Sequence, residues 1–229
     1  MFAQIAGRYD RLNRIMTFGQ DQLWRRQAIM RLQLQPNDLL LDIGAGTGDL
    51  SFEAQRQHPS VRVVAADFTP EMLMIGVARS GNRSPSWMLA DSRHLPFASG
   101  CFDGVVSGFL LRNVAELDTA LAEQVRVLKP GGHWVSLETS PPPANWLRPL
   151  LIFYLRRIIP LLGRWLAGAK EAYRYLPSST EAFLPPRELV SRLVQVGLHR
   201  LSYTRHMLGT IAIYHGQRPP AEAATPMVD

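Results

Sequence analysis

Cysteine is almost absent from this chain: Cys101 stands alone among 229 residues. One thiol excludes an intrachain disulfide and a zinc cluster built from cysteines of a single chain, and it suits a reducing compartment. Long apolar runs are missing as well. Nowhere do about 18 uncharged apolar residues follow one another, so a spanning helix is not expected. The nearest approach, Trp146 to Gly168, is broken by Arg148, Arg156, Arg157 and Arg164 and by Pro149 and Pro160. The start of the chain, Met1 to Arg14, mixes apolar and charged residues around no apolar centre. That is not the layout of a secretory signal, and a cytoplasmic protein is expected. The six histidines, at 58, 94, 133, 199, 206 and 215, show no ligand spacing, so no metal is expected. No internal repeat is visible.

What is present suits a folded enzyme-sized domain. Apolar residues make up 46% and charged residues 19%, enough to bury a core and too apolar for a disordered chain. The formal charge of +6 has two readings. One is attraction to an anionic partner, a membrane surface or a nucleic acid; the other is an excess of arginine that serves solubility.

Hydrophobic spacing divides the chain. Ile5, Tyr9, Leu12 and Ile15 recur at helical spacing, and a second helical run covers Gln22 to Leu32. Leu39 to Ile43 reads as a strand buried on both faces, followed by a helix from Asp49 to about Gln57. Further strands are expected at Val61–Ala66, Trp87–Ala90, Phe102–Phe109 and His133–Glu138. Thr69-Pro70-Glu71 opens one intervening helix, and another, Leu117 to Leu128, stops at Lys129-Pro130-Gly131-Gly132. Strands alternating with helices predict an α/β fold, a mainly parallel sheet with helices on both faces. The organisation follows: helical segment 1–33, core 34–140, apolar insertion 141–176, a return to the core at 177–218 and a mobile tail at 219–229. The return holds a helix from Pro186 to Val196 and strands at Arg200–His206 and Thr210–Tyr214.

Chemistry concentrates where strands end. Gly44, Gly46 and Gly48 follow the first strand and open a helix, so backbone N–H groups face whatever sits in the loop. A dinucleotide fingerprint puts its third glycine three positions after the second. Here that position is Asp49, whose carboxylate repels a pyrophosphate. The ligand therefore reads as a nucleoside without phosphates, and S-adenosyl-L-methionine fits. Asp67, ending the second strand, is placed to accept ribose hydroxyls, and Asp91, ending the third, to accept the adenine amine. The bland alternatives are a ligand-free turn and capping aspartates.

The sequence resembles the quinone-biosynthesis C-methyltransferases, which methylate demethylmenaquinol and related polyprenyl benzoquinols. The marks are Tyr9-Asp10-x-x-Asn13, Trp24-Arg25, Asp42-x-Gly-x-Gly-Thr47-Gly48-Asp49, Leu95-Pro96-Phe97, Leu111-Arg112-Asn113-Val114, Arg126 to Gly132, Tyr173-x-Tyr175-Leu176-Pro177 and His215-Gly216. The resemblance implies a Rossmann-like class I fold with seven strands. It implies cofactor contacts from Asp42, Gly44, Gly46, Thr47, Gly48, Asp67, Phe68, Asp91, Ser92 and Gly108, with Tyr9 on a helical lid. It further implies that Arg112 and Asn113 stand beside the emerging methyl group and polarise a water or quinol hydroxyl. Departures at Gly108-Phe109-Leu110-Leu111, at Thr139 and at Arg205-His206-Met207 bear on the substrate more than on the cofactor.

The insertion is the last signal. Apolar and aromatic residues interleaved with arginines from Trp146 to Gly168 suit a segment lying against anionic headgroups, as a polyprenyl substrate requires. A core helix or a homodimer face would read the same way. Peripheral association with the inner face of the membrane is therefore expected, with a hydrophobic quinol as substrate. Neither an appended RNA-binding domain nor an Asn-Pro-Pro-Tyr motif is present, so nucleic acid is not expected as a partner. Methylation of another small aromatic or lipid acceptor is the alternative activity; a scaffold without catalysis is the alternative class.

Overall fold

A computed structural model describes residues 14, 17, 19–81, 84–158, 179, 180 and 182–221. The chain runs α1 (Gln20–Arg31), β1 (Leu39–Ile43), α2 (Asp49–Gln57), β2 (Arg62–Asp67), α3 (Pro70–Arg79), β3 (Ser86–Leu89) and β4 (Phe102–Gly108). After a 3-10 turn (Leu111–Asn113) come α4 (Leu117–Val127), β5 (Leu128–Thr139), α5 (Arg148–Phe153), α6 (Pro186–Gln195), β6 (His199–His206) and β7 (Ile211–Gln217). The seven strands form one sheet in the order β3-β2-β1-β4-β5-β7-β6. β1 to β5 pair in parallel, and β7 runs antiparallel between β5 and β6. The expected mainly parallel α/β sheet is what forms.

Period-two alternation within the strands explains why helices cover both faces. Leu40, Val106 and Val135 pack with Trp24 and Ile29 of α1, with Leu32 just after it, and with Leu50 and Ala54 of α2. Their chain neighbours Leu41, Val105 and Trp134 point the other way, against Leu121 and Val125 of α4 and Leu189 and Leu193 of α6. A slip of one residue in β1 would exchange the two faces, so burial on both sides sets the register.

Two boundaries differ from expectation. Lys129-Pro130-Gly131-Gly132 lies within β5 instead of ending before it. The ladder passes from Phe102↔Leu128 to Gly104↔His133, so the expected turn survives as a bulge, with Gly131 at φ 79°. β7 continues to Gln217 because the His133 end of β5 supplies partners for it. The π-helical turn Tyr154–Ile158 continues α5, and no helix among the described residues is long and apolar enough to cross a membrane. Tyr9 with residues 1–13 of the helical segment, residues 159–176 of the insertion, the Tyr173 to Pro177 motif and the tail from 222 lie outside the described residues.

Candidate functional site

The carboxyl ends of β1, β2 and β4 open onto a cleft of about 430 Å³, where open α/β sheets bind ligands. The loop after β1 forms its floor. Gly44, Gly46 and Gly48 all lie at positive φ (67°, 57° and 89°), a region glycine enters without steric cost. At Gly48 a side chain is also excluded by space, because a Cβ would stand 2.5 Å from the Trp87 ring. The N–H groups of Gly44 and Ala45 donate to Ala66 O at 2.8 and 3.0 Å, tying the loop to β2.

Asp42, Asp67, Phe68, Asp91, Ser92, Thr47 and Gly108 all line this cleft with the loop glycines Gly44 and Gly46. Asp42 is fully buried; Ser51 Oγ donates to its Oδ2 at 2.7 Å, while Oδ1 has no partner. Burial, only partly offset by Ser51 and reinforced by the charges of Asp67 and Asp49, pushes its pKa up to about 7. An acceptor left alone in a buried site calls for a donor from the ligand.

Three of the acids at this cleft have partners of their own. Asp67 is not a free strand-end carboxylate: Oδ2 accepts from Gly46 N at 2.8 Å and Oδ1 from Thr69 N at 2.7 Å. It shapes the loop, and its remaining lone pairs stay available as acceptors. Asp91 is likewise engaged, by the backbone and guanidinium of Arg93, whose hydrogen bonds hold its carboxyl below the usual range. Asp49 does not carry the predicted phosphate repulsion by itself. It is paired with Arg79 at 2.8 Å and Arg25 at 3.2 Å.

The residues therefore fit S-adenosylmethionine on an observation of the cleft itself. Its ammonium and ribose hydroxyls are donors, matching the orphaned Asp42 oxygen and Asp67.

Opposite the loop, Gly108 gives way to Phe109, a non-glycine residue at φ 57°. Phe109 N donates to Leu137 O at 2.7 Å, and Asn113 Nδ2 donates to Phe109 O at 2.8 Å. Asn113 lines the cleft, and its buried Oδ1 has no partner. Arg112, expected beside the emerging methyl group, stands behind the turn that carries Asn113. Its guanidinium is bonded to Glu138, both side chains almost wholly buried, and it is not among the residues lining the cleft. A guanidinium engaged this way holds the 3-10 turn in place and leaves the cleft to Asn113.

The sequence matches the ubiE/COQ5 methyltransferase family over residues 1–218. The chain belongs to that family. It is 42% identical over 216 residues to the ubiquinone/menaquinone biosynthesis C-methyltransferase UbiE of Desulfotalea psychrophila, covering 94% of this chain and 88% of that one. It is 41% identical over 222 residues to the demethylmenaquinone methyltransferase of Thermus thermophilus, covering 96% of this chain and 100% of that one. Among solved structures, an S-adenosylmethionine-dependent methyltransferase of Thermotoga maritima superposes with a TM-score of 0.67 at 16% identity, covering 95% and 98% of the two chains. Phosphoethanolamine N-methyltransferase 2 of Haemonchus contortus, with S-adenosyl-L-methionine bound, gives 0.63 at 12% identity, covering 86% and 52%. At those identities the structural likeness speaks to fold alone.

As a member of the ubiE/COQ5 family the chain is a methyltransferase on a Rossmann-like sheet, and S-adenosylmethionine is the donor its cleft fits. The structure adds residues that sequence reasoning missed. Arg25 reaches the cleft from α1, Ser51 holds Asp42, Arg93 holds Asp91, and Glu138 holds Arg112. Trp24-Arg25 stood out as a motif without a role. Glu138 had a weak signal, an acid ending an apolar strand. Among the described residues no group of three or more metal-binding side chains occurs.

Proposed function

We propose that this chain transfers the methyl group of S-adenosylmethionine to a ring carbon of a polyprenyl quinol precursor of the demethylmenaquinol type, while resting on a membrane surface. When bound, the sulfonium supplies an already activated methyl group, so positioning and exclusion of water carry most of the acceleration. Two unpartnered acceptors in one cleft support this reading most: Asp42 Oδ1 on the loop side and Asn113 Oδ1 on the β4 side. Asn113 Oδ1 holds a quinol hydroxyl and orients the ring. An amide oxygen takes no proton, so water accepts the hydroxyl proton as the ring carbon takes the methyl group from sulfur; water then removes the hydrogen of that carbon, and a proton returns to the ring oxygen as the aromatic ring is restored. Arg112 and Glu138 keep the turn bearing Asn113 rigid. The names of the D. psychrophila and T. thermophilus relatives point to the same reaction.

For the membrane, α5 and its approach supply the support. Trp146, Leu150 and Phe153 are 86%, 62% and 56% exposed, beside Arg148, Arg156 and Arg157. Apolar side chains left in solvent next to cations suit an interfacial contact with anionic lipid.

The test of the reaction is transfer of an isotope-labelled methyl group, with demethylmenaquinol set against a panel of phenols and lipid amines. Carbon–carbon coupling on the quinol ring is the expected product signal. Labelling of oxygen or nitrogen acceptors in its place would assign the chain to another acceptor class.

A further inference from the structure

We infer that Arg25 is the counter-charge for the α-carboxylate of the methyl donor. The inference rests on the reading of the cleft as an S-adenosylmethionine site and adds a residue to it. The amino-acid end of that ligand carries both signs. Asp42, with its unpartnered oxygen, answers the ammonium, but Asp42, Asp49 and Asp67 together would repel the carboxylate. A cation is needed on the loop side.

Two cations line the cleft among the described residues, Arg25 and Arg93. Arg93 belongs to the other end: its guanidinium bonds Asp91 and Glu116. Arg25 stands on α1, next to Trp24, which is 1% exposed and fixes that face of the helix against the sheet. The guanidinium is held from behind. Nη1 donates to Asp21, itself only 2% exposed, while Nη2 has an ionic contact with Asp49 Oδ2 at 3.2 Å. Asp49 has a second cation, Arg79, at 2.8 Å. An incoming carboxylate therefore takes the Asp49 position on Arg25 without leaving Asp49 unpaired. A guanidinium fixed before the ligand arrives offers parallel N–H groups at little entropic cost.

Replacing Arg25 alone would strand a buried Asp21 carboxylate, so the informative variant is Asp21→Asn with Arg25→Met. Binding of S-adenosylmethionine and of its decarboxylated form is measured by isothermal titration, without turnover. The wild-type chain is expected to prefer the carboxylate-bearing ligand by about 10- to 100-fold, the range of a charge-assisted hydrogen bond. In the double variant that preference should fall to about twofold or less, with the decarboxylated ligand bound as before, and Arg25→Lys should keep part of it. A preference that survives the double variant overturns the assignment, as does equal weakening of both ligands. If the wild-type chain binds both ligands equally, Arg25 is wrong and the nucleoside site stands. If it binds neither, the cofactor reading falls as well.

Discussion

A carboxylate buried as deeply as Asp42 resists ionisation until something positive arrives. With its pKa near 7, the cofactor-free chain holds it largely protonated on the acid side of neutrality. A bound ammonium lowers that pKa, so binding releases a proton there. Affinity for S-adenosylhomocysteine should therefore rise by about tenfold per unit between about pH 5.5 and 7, then level off. Titration in buffers of different ionisation enthalpy measures the released proton; a flat profile would remove Asp42 as the ammonium partner. In the free protein the sign reverses. A raised carboxylate pKa favours the fold at low pH and loses that contribution as pH climbs through about 7.

The ion pair of Arg112 with Glu138 makes a second prediction at this scale. Removing either partner leaves a charge buried alone, which costs about 3–5 kcal/mol. Arg112→Ala and Glu138→Ala should each lower stability by that amount in urea unfolding, and the double variant by clearly less than their sum. Strict additivity would contradict the pairing.

At the scale of elements, two features control the site. The loop between β1 and α2 has no room for a larger residue at its last glycine. Gly48→Ala should lower stability by about 1–3 kcal/mol and weaken cofactor binding, because the new Cβ meets Trp87 at a φ of 89°. The other feature is the seam of β5 and β7. His133 Nδ1 and His215 Nε2 lie 3.0 Å apart, so one nitrogen must carry a proton and the other must not. Burial first, then the His133 and Arg31 charges, lower the His215 pKa to about 4. A depressed histidine stabilises the fold above its unfolded value of about 6.5 and loses that contribution as pH falls toward 4. Stability should drop by about 1–2 kcal/mol across that window, after allowing for partial exposure, and His215→Gln should flatten the drop.

The elements also show what could be read in advance. β1, α2 and α6 were visible because local periodicity and punctuation, such as Pro186 at a helix start, carry their boundaries. The bulge in β5 was not visible, since a Lys-Pro-Gly-Gly run is a turn signal unless β4 supplies a partner on either side of it.

On the scale of the whole molecule, the gathering of loop glycines and strand-end acids in one cleft was legible because they are local marks of a shared sheet edge. The partners of those acids were not. Arg25 of α1 and Arg79 of α3 meet at Asp49, and Arg112 of the 3-10 turn meets Glu138 of β5, through contacts that no local pattern encodes. The same tertiary arrangement turned Arg112 away from the cleft and left Asn113 facing it. Trp146, Leu150 and Phe153 stay exposed. Replacing Trp146 and Phe153 by serine should reduce co-sedimentation with anionic liposomes by about tenfold or more, given the apolar area lost. Unchanged sedimentation would end the membrane assignment.

The most direct measurement is a crystal structure with S-adenosylhomocysteine bound. The nucleoside should lie across the 44–48 loop, its ammonium on Asp42, its ribose on Asp67 and its adenine beside Asp91 and Ser92. A ligand seated elsewhere, or one that leaves Asp42 Oδ1 without a donor, would contradict the account.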